Sequence, residues 1–470
     1  MNPKPGLIAR RQLLLGLLLG ISSGASSAGS ASNAPHLPGS KQSSLLERLR
    51  VPELTDPWEI DAFFDGVRIR LAFPESLNQL NKLPAAIQDT VRRRIQFRWR
   101  NLNVLRKTAI DLDELLRTKP FTHVAQHEQT LEHVVMALPP TAPNGSEDVI
   151  AMHEPLLAAL PAYSKVDFFL PEELMAQVAS RLSALGLQKR VHLHGEHAFE
   201  LMEDKIPLRH QTTYWMRDVL MAAADKHGNT PLLLPLAFYQ INDLSRPDND
   251  YVHKLRNPKR PVVRIPLFFK GGNMMVISSR QRRILLIGQD ELRLNQEFFY
   301  NAFFYFPPTS EVLELFRQIS GADEVRVLPN SKNLYHMDMV MAVVHPGTVA
   351  MLDPLDSDAL RSEDRQLISQ VRDILAGYGQ RVVGIPTLPE WVNEFKSPVN
   401  ILPFRHRDTR VLSAIVPRFD DRIVTIEGRS DSIHEMIRKA YLDAGTKTIF
   451  ASSGLFRFGG NWHCAVLPMT

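Results

Sequence analysis

Gly459-Gly460-Asn461-Trp462-His463-Cys464 is the stretch on which the reading of this chain turns. Two glycines permit a tight backbone turn, and the turn leads to a cysteine. Cys464 is the only cysteine among 470 residues. No intramolecular disulfide can form, and a multi-cysteine zinc or iron–sulfur site is excluded. Two roles are left: an inert buried thiol, the usual state of a free cysteine, or a nucleophile. His463 either tunes that thiol or packs. If the segment is a strand, alternation points His463 to the opposite face from Cys464.

Three stretches upstream carry residues of matching chemistry. They are Tyr214-Trp215-Met216-Arg217-Asp218, Lys270-Gly271-Gly272-Asn273 between apolar runs, and His336-Met337-Asp338 after a strand ending near Pro329. Singly, each has an ordinary explanation: a core tryptophan beside an ion pair, a tight turn, a structural histidine–aspartate pair.

In order and combination, W-x-R-D, G-G-N, H-x-D and G-G-N-x-H-C resemble the motif series of the pentein superfamily of guanidine-modifying enzymes. That group includes arginine, agmatine and peptidylarginine deiminases, dimethylarginine hydrolases and amidinotransferases. The resemblance covers residues 148–470. It implies an α/β fold, a five-bladed, pseudo-fivefold propeller of strand–strand–helix–strand units around a central site. It also implies roles. Cys464 matches the nucleophile, His336 the acid/base, and Asp218 and Asp338 the two carboxylates that hold the substrate, with Trp215 and Asn273 beside it. No cofactor and no metal are implied.

The residue types suit that chemistry on their own terms. A guanidinium is planar and cationic with five N–H donors, and carboxylates match its fork bidentately. Two aspartates can grip opposite edges and leave the central carbon open. That carbon is a poor electrophile, so a thiolate must attack it, and the bound cation favours the thiolate. The histidine protonates departing ammonia and then activates water against the thiouronium.

One position departs from the pattern. Free-arginine and agmatine deiminases usually carry glutamate before Gly-Gly, where this chain has Lys270. Peptidylarginine deiminases rely on an Asp, His, Asp, Cys set, which is intact here. The expected substrate is therefore an arginine-containing peptide, with a small guanidino compound as the alternative. Dihydrolase and amidinotransferase chemistry share the same nucleophile, and an inactive binding protein on the same fold is a further reading. A papain-like peptidase has its cysteine before its histidine, the reverse of the order here. A metal site from His336, Asp338 and His463 would be a sparse, mixed set. No acidic calcium loop is visible.

The N-terminus reads as an address. Arg10 and Arg11 precede an apolar run, Leu13 to Ile21, followed by small residues up to Ala34. The run is short of the roughly 20 residues that span a bilayer, and the layout is that of a signal peptide. The paired arginines suggest the twin-arginine type, so export machinery is an expected partner and the periplasm or exterior the expected location. Stable membrane insertion is not expected. The 55 Lys and Arg against 51 Asp and Glu give a net charge of only +4, no case for a nucleic-acid partner.

Residues 35–46 read as a Ser/Pro/Gly linker and 47–145 as a mainly helical segment, with a break at 138–147 before the catalytic domain at 148–470. Beyond the break, apolar runs predict strands at 166–170, 190–194, 231–234, 262–269, 284–287, 324–328, 339–344, 349–352, 382–385, 411–415 and 448–450. Amphipathic segments predict helices at 171–185, 311–319, 361–377 and 432–444. Neither a phosphate-binding loop nor a dinucleotide fingerprint is present.

Overall fold

The structure is a computed structural model. It describes residues 104–118, 120–138, 149–196, 215–236, 254–303, 306–409, 411–426, 429–458 and 460–469, with Leu45 and Ala85. The expected signal peptide, nearly all of the expected linker and most of the 47–145 segment lie outside the described residues.

Five sheets of three or four strands repeat one scheme: a first strand runs antiparallel to a second, which runs parallel to a third. The first strands are Met221–Asp225, Met274–Ser279, Met341–His345, Leu402–Arg405 and Leu467–Pro468. Their second strands are Leu232–Leu234, Arg282–Gly288, Thr348–Pro354, Leu412–Arg418 and His133–Ala137. The third strands are Val262–Arg264, Glu324–Leu328, Arg381–Thr387, Lys447–Ser452 and Lys165–Pro171. Phe121–His123 adds to the first sheet, and Val191–Glu196 to the last.

Among the described residues, helices bridge the second and third strands of the other four sheets, those beginning with Met274–Ser279, Met341–His345, Leu402–Arg405 and Leu467–Pro468, because a parallel pair needs a crossover. Thr309–Ser320 buries Val312, Leu315, Phe316 and Ile319, the i, i+3, i+4, i+7 stripe of an amphipathic helix. It stops at Gly321, whose φ of 61° is left-handed. Ser362–Gly377 buries Leu367, Ile368, Val371 and Leu375 in the same way. Each fully buried side chain of this kind contributes about 1.5–3 kcal/mol.

The expected strands at 262–269 and 339–344 are shorter or displaced, at Val262–Arg264 and Met341–His345. The expected domain start at 148 is also corrected. Phe121–His123 and His133–Ala137 are strands of the first and last sheets. Helical residues 104–118 place Leu105, Ala109 and Leu112 in a core shared with Phe268, Leu285 and Phe316. The break at 138–147 therefore falls inside the fold and not at its edge: the strand before it pairs in parallel with the one that follows. Among the described residues no helix is long and apolar enough to cross a membrane.

Candidate active site

The repeated scheme places one polar residue just before each first strand. Asp218 precedes Met221–Asp225, Asn273 precedes Met274–Ser279, Asp338 precedes Met341–His345, Asn400 precedes Leu402–Arg405 and Cys464 precedes Leu467–Pro468. The intervals are 55, 65, 62 and 64 residues. Four of the five sit in a single helical turn: Met216–Asp218, Gly271–Asn273, Met337–Met339 and Trp462–Ala465. These turns pack against one another. Glycine makes the packing possible. A Cβ on Gly272 would lie 2.6 Å from Asp338 Oδ2, and one on Gly460 would lie 2.8 Å from the Trp215 ring.

Cys464 is buried and donates to Asp338 Oδ2 at 3.0 Å. Asn400 donates from Nδ2 to Cys464 Sγ at 3.2 Å and accepts the His463 backbone N–H at 3.0 Å. His463 Nδ1 lies 2.9 Å from Asp338 Oδ2, and its Nε2 lies 2.5 Å from Gln126 Nε2. Gln126 Oε1 in turn accepts the Val343 N–H at 2.7 Å, which orients its amide to donate. His463 thus accepts at Nε2 and donates from Nδ1, and it braces the aspartate. The strand alternation expected for His463 does not apply, because Trp462–Ala465 is a helical turn.

The electrostatics follow from burial and charge. Burial, the Asp338 charge and the hydrogen bond to Asp338 push the Cys464 thiol well above its ordinary range. Burial pulls His336 down to about 4, aided by Lys270 and opposed by Asp338. Asp338 is buried, which alone would raise it, but hydrogen bonds from His463 and Cys464 and the pull of both histidines hold it below the usual carboxylate range. Burial raises Asp218 to about 7; Lys270 opposes that rise and Asp338 adds to it. At rest, then, Cys464 is a thiol and His336 an uncharged imidazole.

Asp218 Oδ1 and Asp338 Oδ1 are buried and have no hydrogen-bond partner among the described residues. Buried polar atoms are almost always paired, so two orphaned carboxylate oxygens in one site mark a place for donors. Trp215 lies against Gly460. Asn273 is engaged elsewhere: it donates to Glu291 Oε1 at 3.1 Å and accepts the Met337 N–H at 3.1 Å. It fixes the turn that carries Asp338, and its amide groups are used there. Lys270 Nζ lies 3.2 Å from His336 Nε2. Arg217 donates to the Val466 carbonyl at 3.0 Å and to Gln129 Oε1 at 3.1 Å.

Sequence reasoning missed Asn400, Gln126 and Glu291. Only Asn400 left a trace, its place in the interval series. Among the described residues no group of three or more His, Cys, Asp or Glu side chains could hold a metal ion.

No family model and no curated protein matches the sequence. Solved structures do match its fold. Agmatine deiminase from C. jejuni is 16% identical, with a TM-score of 0.52 over 74% of this chain and 95% of that one. Agmatine deiminase of Enterococcus faecalis is 13% identical, with a TM-score of 0.53 over 74% of this chain and 95% of that one. The expected α/β fold is thus the fold shared with these two agmatine deiminases.

Proposed function

We propose that this chain is a guanidine-modifying hydrolase, a deiminase that converts an arginine side chain in a peptide to citrulline and ammonia. The observation that carries the reading is the pair of orphaned carboxylate oxygens on Asp218 and Asp338 beside Cys464 and His336. A guanidinium supplies several N–H donors and a positive charge at once, and so answers both needs. In this reading the five sheets are blades of a propeller, and the five polar residues that precede their first strands meet at its centre.

The resting protonation states shape the mechanism. The arriving cation offsets both carboxylates, which lowers the cost of forming the Cys464 thiolate. His336, uncharged, takes the thiol proton as the C–S bond forms. It gives that proton to the departing nitrogen as the C–N bond breaks, leaving a thiouronium and ammonia. Water then adds to the same carbon with His336 as base, and the C–S bond breaks to return the thiol and release citrulline. Asn400 holds the sulfur and the turn through both steps.

The peptide substrate rests on Lys270, which stands where small-substrate deiminases usually carry glutamate, and on the proposed twin-arginine export to the periplasm or exterior. A free small guanidine is the second reading, favoured by the fold likeness to two agmatine deiminases. A citrulline assay on an arginine peptide blocked at both termini, with free arginine and agmatine in parallel, decides between them. Turnover of the small compounds alone overturns the peptide reading. No turnover of any guanidine, with Cys464→Ser indistinguishable from the parent, overturns the enzyme reading.

A further inference from the structure

His336 has a lysine within hydrogen-bond reach: Lys270 Nζ stands 3.2 Å from Nε2. Since an ammonium can only donate, Nε2 must accept. Both residues are held firmly. Lys270 is the residue before the Gly271–Asn273 turn, and that turn packs on the one carrying Asp338. The His336 ring packs edge-on against Tyr335 at 4.7 Å between centroids, and Tyr335 packs in turn on Phe395.

The charged and titratable groups around His336 are Lys270, Asp338, Asp290, His463 and Tyr335. Two carboxylates favour an imidazolium, and a lysine in contact opposes it. Lys270 has acidic company of its own in Asp218 and in Glu291, buried in the first turn of the helix Gln289–Phe303. Glu291 Oε2 is buried with no hydrogen-bond partner among the described residues.

We propose that Lys270 is a positioning residue that acts through His336: its ammonium adds to burial in keeping the imidazole uncharged with its lone pair on Nε2, and once the cationic substrate displaces the ammonium His336 begins the reaction as a base. The inference rests on the functional reading above and deepens it. A carboxylate at position 270 would favour the imidazolium instead. The lysine therefore reinforces the order of proton transfer, first from the Cys464 thiol to His336 and then from His336 to the leaving nitrogen. It also extends turnover of bound substrate toward acid, because the required uncharged form survives to lower pH.

The test is a histidine titration by NMR on the full chain with 13C-labelled histidine, in the Cys464→Ser background, where no turnover intervenes. The His336 resonance is identified by its loss in His336→Gln. Lys270→Met should raise the His336 midpoint by about one pH unit, the scale set by one charge in contact. Lys270→Glu should raise it further, and Lys270→Arg should leave it near the parent value. Lys270→Gln, also neutral, replaces Lys270→Met if that variant loses its thermal transition. In chains with Cys464 restored, the acid limb of kcat, read at saturating substrate, should move upward with the midpoint. A midpoint unmoved in folded Lys270→Met and Lys270→Gln overturns the proposal. Because the titration needs no turnover, a shifted midpoint in a chain that deiminates nothing sinks the functional reading alone. An active chain with an unshifted midpoint sinks the role of Lys270 alone.

Discussion

Asp338 Oδ2 accepts the Cys464 thiol at 3.0 Å, so the carboxylate that the site offers to a cation also restrains the nucleophile. Its negative charge lies against the sulfur and disfavours a thiolate. Removing the charge should free the thiol even as it destroys turnover. Asp338→Asn is expected to react with iodoacetamide at pH 7.5 about tenfold faster than the parent, on the scale of one charge in contact. An alkylation rate equal to or below the parent's would show that burial alone holds the sulfur protonated.

Binding should depend on pH through Asp218. Its carboxyl is raised to about 7 by burial, with Lys270 opposing and Asp338 adding to the rise. A cationic ligand needs the ionised form. In Cys464→Ser, affinity for a guanidino ligand should therefore fall about tenfold per pH unit as pH drops below about 7, and level off above it. Calorimetry from pH 5 to 9 reads this directly. The dependence should vanish in Asp218→Asn, which should bind weakly at every pH.

The same residue should cost stability. A carboxyl raised in the fold binds more protons folded than unfolded between its unfolded value and about 7, so stability falls as pH rises through that window. Asp218→Asn removes the term. Its melting temperature should exceed the parent's at pH 8, and the gain should shrink toward pH 5. A uniform loss at both pH values would mean that the ionised carboxylate is well compensated in the free protein.

Cys464→Ser should abolish turnover and retain ligand binding, since the hydroxyl is a weak nucleophile while both carboxylates remain. His336→Ala should abolish turnover as well, because ammonia leaves poorly without a proton donor. Asp218→Ala should instead lose binding along with turnover.

Asn400 holds Cys464 Sγ and the His463 backbone N–H at once. Asn400→Ala should lower kcat by about 100-fold, the scale of a misplaced reacting group, and change KM little. A fall in ligand affinity of similar size would reassign Asn400 to substrate binding.

Much of the frame was legible because apolar runs announce themselves. The run from Val166 to Leu170 is a strand, and the stripe within Glu311–Ile319 is a helix. Phe121–His123 and Leu402–Arg405 escaped because three or four residues give no periodicity to read. Met221–Asp225 is mostly alanine, a residue without strand preference. Without those strands the start of the domain could not be placed.

Asp218, His336, Asp338 and Cys464 stood out because their motifs combine chemistry with order. Asn400 and Gln126 carry no motif; each acts through one hydrogen bond to a residue remote in sequence. His463 was misjudged for a local reason, since one helical turn leading into a strand changes which way successive side chains point.

The pairing of Leu467 with Val135 bears on when this molecule becomes reactive. The segment that carries Cys464 is held by partners far away in sequence: Gln126, Arg217, Asp338 and Asn400. Contacts of such long reach pay loop-closure entropy before they return anything, which places them late in folding. A partly folded chain with the other sheets formed would have no seated sulfur and no braced aspartate. Under the proposed function, chemical competence therefore arrives only with the closing contacts.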